Sequence, residues 1–378
     1  LKHYYSVMFD AVAMTHEANG LYGWVDWGDL PMCDRPTQGK FKMAMDGGVG
    51  WSNAERALAP YFYHYAAGGG RRFLDLGRAM VHHTIGIDTE HPGGDDKHGG
   101  YHRHNQVHWR HKGAGTRQGG FRGWHNYYWM TGDPEVGRLI LREGIDSPAQ
   151  RSQMDLRVER KSLTVGYDYQ HCASHMLAHM CWITTGDWRY ARAHRPIVKL
   201  WKICGERGQA TRRGYLFFKV TDGEPVGYRL AGKGPQLGYW LTYGGDDLLL
   251  EWASLTGDPI AVDAILLQGK FHGTGSTARG VRSMYNSPEA LYLGLAFLQP
   301  DHPHLKRLLT GRLWSHSNLA KFRAKGLKTT GRYKSAEDWD RYGTYMYRKN
   351  GFSIHGAEGL EVLHLMQAMA LLKMSPKP

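Results

Sequence analysis

Histidine is the residue this sequence concentrates. Within one stretch stand His82, His83, Asp88, His91, His98, His102, His104, His108, Trp109 and His111. An imidazole near its ordinary pKa exchanges protons at neutral pH, and in its neutral form it binds metals. Asp88, His91 and His102 are the residues that would hold a divalent ion if one is used, although neither HExxH nor another strict ligand spacing accompanies them. Proton transfer is the stronger reading, with His104 and His108 as its candidates, and it requires no cofactor. A second set, His171, His175 and His179, recurs every four residues and so falls on one face of a helix. A polar stripe lining a helical interior is expected there rather than a ligand triplet. Tyr167 and Tyr169 begin the same segment. A phenol passes a proton near neutral pH only if a neighbouring cation or base lowers its pKa from about 10.

Such residues need a scaffold, and a recurring phrase supplies one. Met130-Thr131-Gly132-Asp133-Pro134, Thr185-Gly186-Asp187-Trp188 and Leu255-Thr256-Gly257-Asp258-Pro259 each follow an apolar, aromatic-rich segment and precede another helical one. A degenerate copy is Ala67-Gly68-Gly69-Gly70-Arg71. Glycine accepts the left-handed backbone just past a helix end. Aspartate then caps the next helix, and proline fits its first turn. The phrase reads as a tight helix–helix turn, and its recurrence marks an array of helical hairpins. Helices running into such turns are predicted at about 51–66, 120–130, 167–184, 236–255, 287–298 and 355–372. Partner helices are predicted near 72–83, 134–144, 188–205, 259–268 and 305–325. The expected fold is therefore all-α, an (α/α)6 toroid forming a single domain over residues 1–378. Strand signal is confined to about 215–221. The Gly- and His-rich connections at 92–120 and 206–236 are long enough to be functional loops.

In a closed ring of hairpins the inner helices begin on one face, around a central cavity. Their starts bring Trp51, Asn53 and Glu55; Arg122, Trp124 and His125; Tyr239 and Trp240; Tyr285 and Asn286; and, before the last, Arg348. Aromatic rings stack on sugar faces, while Arg and Asn bind carboxylates and hydroxyls. His125 joins the proton-transfer candidates, and the others are candidate substrate contacts.

Composition agrees with an anionic ligand. The 378 residues carry a formal charge of +13, with 22 His, 13 Trp and 22 Tyr, and a positive cleft concentrates anions. Glycine, at 49 residues, is nearly twice its usual share of about 7%. No basic run, zinc-finger spacing or RNA-recognition signature points to nucleic acid. No apolar run of about 18 residues points to a membrane. Cys33, Cys172, Cys181 and Cys204 form no CxxC pair, and Cys172 and Cys181 read as core residues. Nucleophile-elbow, P-loop and dinucleotide signatures are absent, because stretches such as 113–123 lack the strand–turn–helix context. The chain opens at Leu1 within what already reads as folded sequence, so a longer polypeptide is expected.

Gly23-Trp24-Val25-Asp26-Trp27-Gly28-Asp29, Trp51-Ser52-Asn53-Ala54-Glu55, Asp88-Thr89-Glu90-His91, and His102-Arg103-His104 with His108-Trp109 together resemble the helical domain of exo-acting polysaccharide lyases of the exo-rhamnogalacturonan-lyase type. The resemblance implies an (α/α)6 fold, flanking β-domains outside this sequence, a secreted or periplasmic protein, and β-elimination at a uronic acid of an anionic polysaccharide or oligosaccharide. Two rivals remain open. A glycoside hydrolase would need paired carboxyl groups, and Asp26, Asp29, Glu55, Asp88 and Asp168 are candidates. A non-catalytic glycan-binding protein would need only the aromatics and arginines.

Overall fold

The computed structural model describes residues 33–37, 40–43, 59–87, 89–90, 100–101, 121–146, 162–166, 169–192, 195–206, 215–221, 224–231, 245–273, 289–301, 305–306, 309 and 367–373. Helix dominates among them. α1 is Ala59–His64, continued by one π-helical turn at Tyr65–Gly69, and α2 is Arg71–Gly86. α3 (Phe121–Thr131) and α4 (Pro134–Asp146) form the next hairpin. α5 (Tyr169–Thr185) leads into α6 (Trp188–Arg192) and α7 (Arg195–Glu206). α8 (Gly245–Thr256), α9 (Pro259–Gly273) and α10 (Glu289–Leu298) follow, and 367–371 is helical.

The turn phrase does what its chemistry demands. Gly132, Gly186 and Gly257 have φ of 68°, 71° and 65°, and each amide donates back to a carbonyl of the preceding helix, Tyr128, Trp182 or Ala253, at 2.7–2.9 Å. The following aspartate caps the next helix: Asp133 Oδ1 accepts the Glu135 N–H at 3.0 Å, and Asp258 Oδ1 accepts the Ile260 N–H at 2.9 Å. Threonine has a part the sequence reading did not assign. Thr131, Thr185 and Thr256 each donate their hydroxyl to the carbonyl four residues back and accept the N–H of the aspartate two residues on. One hydroxyl thus joins the end of one helix to the start of the next and satisfies groups that helix termini leave open. The degenerate copy turns by a different route, through the π-helical turn with Gly68 at φ 82° and Gly70 at φ 95°.

Predicted and observed helices agree to within a few residues at α2, α3, α5, α9 and α10. The helix predicted from 236 is described only from Gly245, and the one predicted over 188–205 is two helices, α6 and α7. Strands depart further from the expectation. β1 (Cys33–Thr37) pairs with β2 (Lys40–Met43), and β3 (Thr89–Glu90) with β4 (Gly100–Tyr101). β5 (Ser162–Gly166), β6 (Tyr215–Thr221) and β7 (Glu224–Ala231) make an antiparallel three-stranded sheet. Only β6 was expected, and the connection 206–236 is not a plain loop. Val226, Tyr228 and Leu230 alternate along β7, but Pro225 and Gly227 between them mask that period. The Asp222-Gly223 pair between β6 and β7 is itself a hairpin signal.

The chain groups into two compact units, one of Leu1–Glu143, Ser147–Ala149 and Ser317–Leu360, the other of Gly144–Asp146, Gln150–His316 and Glu361–Pro378. The first packs α1, α2 and α3 around Phe62, Met80, Trp124 and Tyr127. Its helices meet closely at Gly77, where a Cβ would come within 3.0 Å of the Phe62 ring. The second packs α5, α7, α8, α9 and α10 around Leu177, Trp201, Trp252, Ile265 and Leu295. No described helix is long and apolar enough to cross a membrane.

Candidate functional site

Helix α3 presents two faces with different chemistry. On one, Trp124 is fully buried and donates its indole N–H to Thr84 Oγ1 at 2.7 Å, while Tyr127 packs on Phe62 and lies 3.2 Å from His82 Nε2 through its hydroxyl. Thr84 passes the connection on, donating its hydroxyl to Val81 O and accepting at its carbonyl from Thr89 Oγ1. This face anchors α3 to α2. On the other face Arg122 and His125, one turn apart, are both buried, and His125 meets the edge of Trp129 at 5.7 Å. Trp129 is exposed. The stripe therefore runs from a buried cation and imidazole at the helix start to an exposed indole at its end. An arginine can hold a carboxylate bidentately, and an imidazole can move a proton.

The second unit holds a polar cluster of its own. α5 and α8 pack together through a His179 Nε2–Glu251 Oε2 contact of 2.9 Å and a Trp182–Trp252 ring contact of 5.0 Å. These ties advance together along both helices, so the helices run in the same sense. His175 and Asp246 stand the same number of residues before Gly186 and Gly257. Both are fully buried, and Asp247 is nearly so. Buried carboxylates are uncommon without a purpose, since burial penalises the charged form. Asp246, Asp247 and Glu251 were not among the residues singled out from the sequence. The available signal was an Asp-Asp pair just ahead of an apolar helix, and it reads equally well as ordinary capping. His125 and His179 also occupy one repeat position, each the same distance ahead of its turn glycine.

Arg122 and His125 share one face of α3 and are both buried. Trp124 is a correction: its ring is core, shielded from solvent, with its N–H committed to Thr84, and it offers no face to a ligand. The helical spacing that puts Arg122 and His125 on one side carries Trp124 to the other. Tyr169 opens α5. His104, His108, Tyr167, Trp51, Asn53, Glu55, Tyr239, Trp240, Tyr285, Asn286 and Arg348 lie outside the described residues, as do Asp26, Asp29, Asp168 and the metal candidates Asp88, His91 and His102. Among the described residues no three His, Cys, Asp or Glu side chains gather as metal ligands would. His175 is buried and His179 joins α5 to α8 through Glu251, while the side chain of His171 lies outside the described residues. Cys181 is buried in the core, as expected, and burial pushes its thiol up to about 12.

Helical hairpins joined by Thr-Gly-Asp turns, with polar groups buried at the helix starts, place the chain in the class of α/α toroid proteins. It belongs to the family described as PcRGLX-like protein C-terminal alpha/alpha toroid domain, which matches residues 2–193, just over half the sequence. Among solved structures it is similar to the GH76A alpha-1,6-mannanase from Salegentibacter sp. HEL1_6, with 12% identity and a TM-score of 0.53 over 98% of this chain and 99% of that one. At that identity the likeness is one of fold. No curated protein matches the chain.

Proposed function

We propose that the protein is a carbohydrate-active enzyme, secreted or periplasmic, that cleaves a uronic-acid-containing polysaccharide by β-elimination. The observation that carries this reading is that Arg122 and His125, one turn apart at the start of α3, are both buried. A lyase must remove the C5 proton of a uronate, break the bond from C4 to the glycosidic oxygen, and return a proton to that oxygen. Neutralising the carboxylate stabilises the charge that develops on proton loss. Arg122 is suited to that, and His125 to one of the proton transfers. In this reading His104, His108, Tyr167 and Tyr169 share the proton transfers. Trp51, Asn53, Glu55, Tyr239, Trp240, Tyr285, Asn286 and Arg348 hold the polysaccharide. The formal charge of +13 suits an anionic substrate. Membership of a toroid family and the toroid fold of a mannanase support action on glycans.

One observation favours a second reading. Asp246 and Asp247 are vicinal and buried at the start of α8, and hydrolysis with inversion or retention uses two carboxyl groups. Incubation with uronate and neutral polysaccharides separates the readings. Elimination raises both the ultraviolet absorbance of a C4–C5 unsaturated uronate and the reducing ends. Hydrolysis raises reducing ends alone, and a binding protein raises neither.

A further inference from the structure

Trp188 departs from the turn phrase in which it stands. The residue after the capping aspartate is Pro134 in one copy and Pro259 in another, the type preferred at the first helical position; between them it is Trp188. Capping does not call for an indole, and leaving one in water forfeits the free energy its burial would return. The ring is nevertheless held in a defined plane. It stacks on Trp252 with centroids 5.9 Å apart and planes at 30°, and it meets Trp182 edge-on at 5.6 Å. Trp252 is in turn fixed, buried and donating its N–H to Asp258 Oδ2 at 3.0 Å. With one face backed by Trp252, Trp188 remains 48% exposed. Exposed Thr185 and half-buried Asp187 stand beside it in the chain.

The geometry points to Trp188 as a stacking platform for one pyranosyl residue of a glycan chain, at the turn end of the α5–α6 hairpin. The C–H face of a pyranose packs on a flat indole face while its hydroxyls stay in water or reach neighbouring polar groups. Half of one indole offers on the order of 100 Å², enough for one sugar ring but far below the ~1,200 Å² of a stable protein interface. Backing by Trp252 and Trp182 fixes the ring beforehand, so little freedom is lost when a sugar docks. The assignment rests on the reading of the protein as carbohydrate-active, but not on whether cleavage is elimination or hydrolysis.

The test is electrophoresis of the whole chain through gels containing polygalacturonate or yeast α-mannan, for the parent, Trp188→Pro and Trp188→Tyr, with thermal unfolding of each. Trp188→Pro restores the residue of the sister turns and removes the ring, whereas Trp188→Tyr keeps a ring. Neither changes charge, so electrostatic retention of the basic chain on polygalacturonate is common to all three. The parent should be retarded by at least one polysaccharide. Affinity should fall about threefold to tenfold in Trp188→Pro, the worth of one aromatic contact, and recover in Trp188→Tyr. If Trp188→Pro unfolds more readily, the Trp188→Tyr affinity decides: retention supports the platform, and a loss with unaltered unfolding overturns it. Equal retardation of parent and Trp188→Pro overturns the platform and leaves the carbohydrate reading standing. A parent retarded by neither polysaccharide overturns both.

Discussion

Replacing Trp124 by phenylalanine decides whether that ring belongs to the core or to a ligand. The indole is fully buried, and its N–H reaches Thr84 Oγ1 at 2.7 Å. Losing that hydrogen bond costs about 1 kcal/mol. The smaller ring leaves a void of roughly 40 Å³, which at ~24 cal/mol per Å³ adds about 1 kcal/mol. Lost transfer free energy brings the expected destabilisation to about 2–3 kcal/mol. Thr84→Val should cost about 1–3 kcal/mol, because it leaves the indole N–H buried without its acceptor. The double substitution should fall short of the sum of the single ones by about 1 kcal/mol, the signature of a direct contact. Urea unfolding of the four proteins, followed by fluorescence and circular dichroism, measures these terms. An unchanged unfolding midpoint in Trp124→Phe, together with weakened polysaccharide binding, would refute the core assignment and return Trp124 to the ligand.

Burial pulls the His64 imidazole from its ordinary 6.5 down to about 4. Between those values the unfolded chain binds the proton and the folded one does not, so stability is fully present above pH 6.5 and is lost as pH falls towards 4. The loss should reach about 3 kcal/mol. His64→Leu should flatten that part of a stability–pH profile, and a profile as steep as the parent's would contradict it. At the α8–α9 turn, Gly257→Ala forces a Cβ into φ 65° and should destabilise by about 1–2 kcal/mol. Gly86→Ala, where nothing lies within 4 Å of the added Cβ, should instead be neutral or gain up to about 1 kcal/mol. Thermal unfolding that ranks the two in the opposite order would sink the assigned turn geometry.

The helical hairpins were legible because their punctuation is local. Gly132, Gly186 and Gly257 each sit where only a left-handed backbone closes the turn, and the aspartate and proline beside them carry their own start signals. The sheet was less legible. β5 depends on pairing with β6 across a long sequence separation, and in β7 Pro225 and Gly227 look like turn residues until Val220 and Lys219 stand opposite. That Arg122 and His125 share one helix face was legible because their spacing is close to one turn. Trp124 was misread for the complementary reason: aromatic chemistry near a helix start does not reveal which side of the helix a ring takes, and a single residue's step carries it about 100° around. Asp246 and Asp247 escaped because acidic residues at a helix start read as ordinary capping, and their burial is visible only in the structure. Trp188 stood in the turn phrase without being singled out, and its stacking on Trp252 became visible only in the structure.

The mass of the product released from a uronate polysaccharide tests the central claim most directly. β-Elimination predicts a new non-reducing end one water lighter than the saturated sugar, with that mass lost in Arg122→Ala while the chain stays folded. A product of full saturated mass would contradict elimination and transfer the chemistry to the carboxylates of α8.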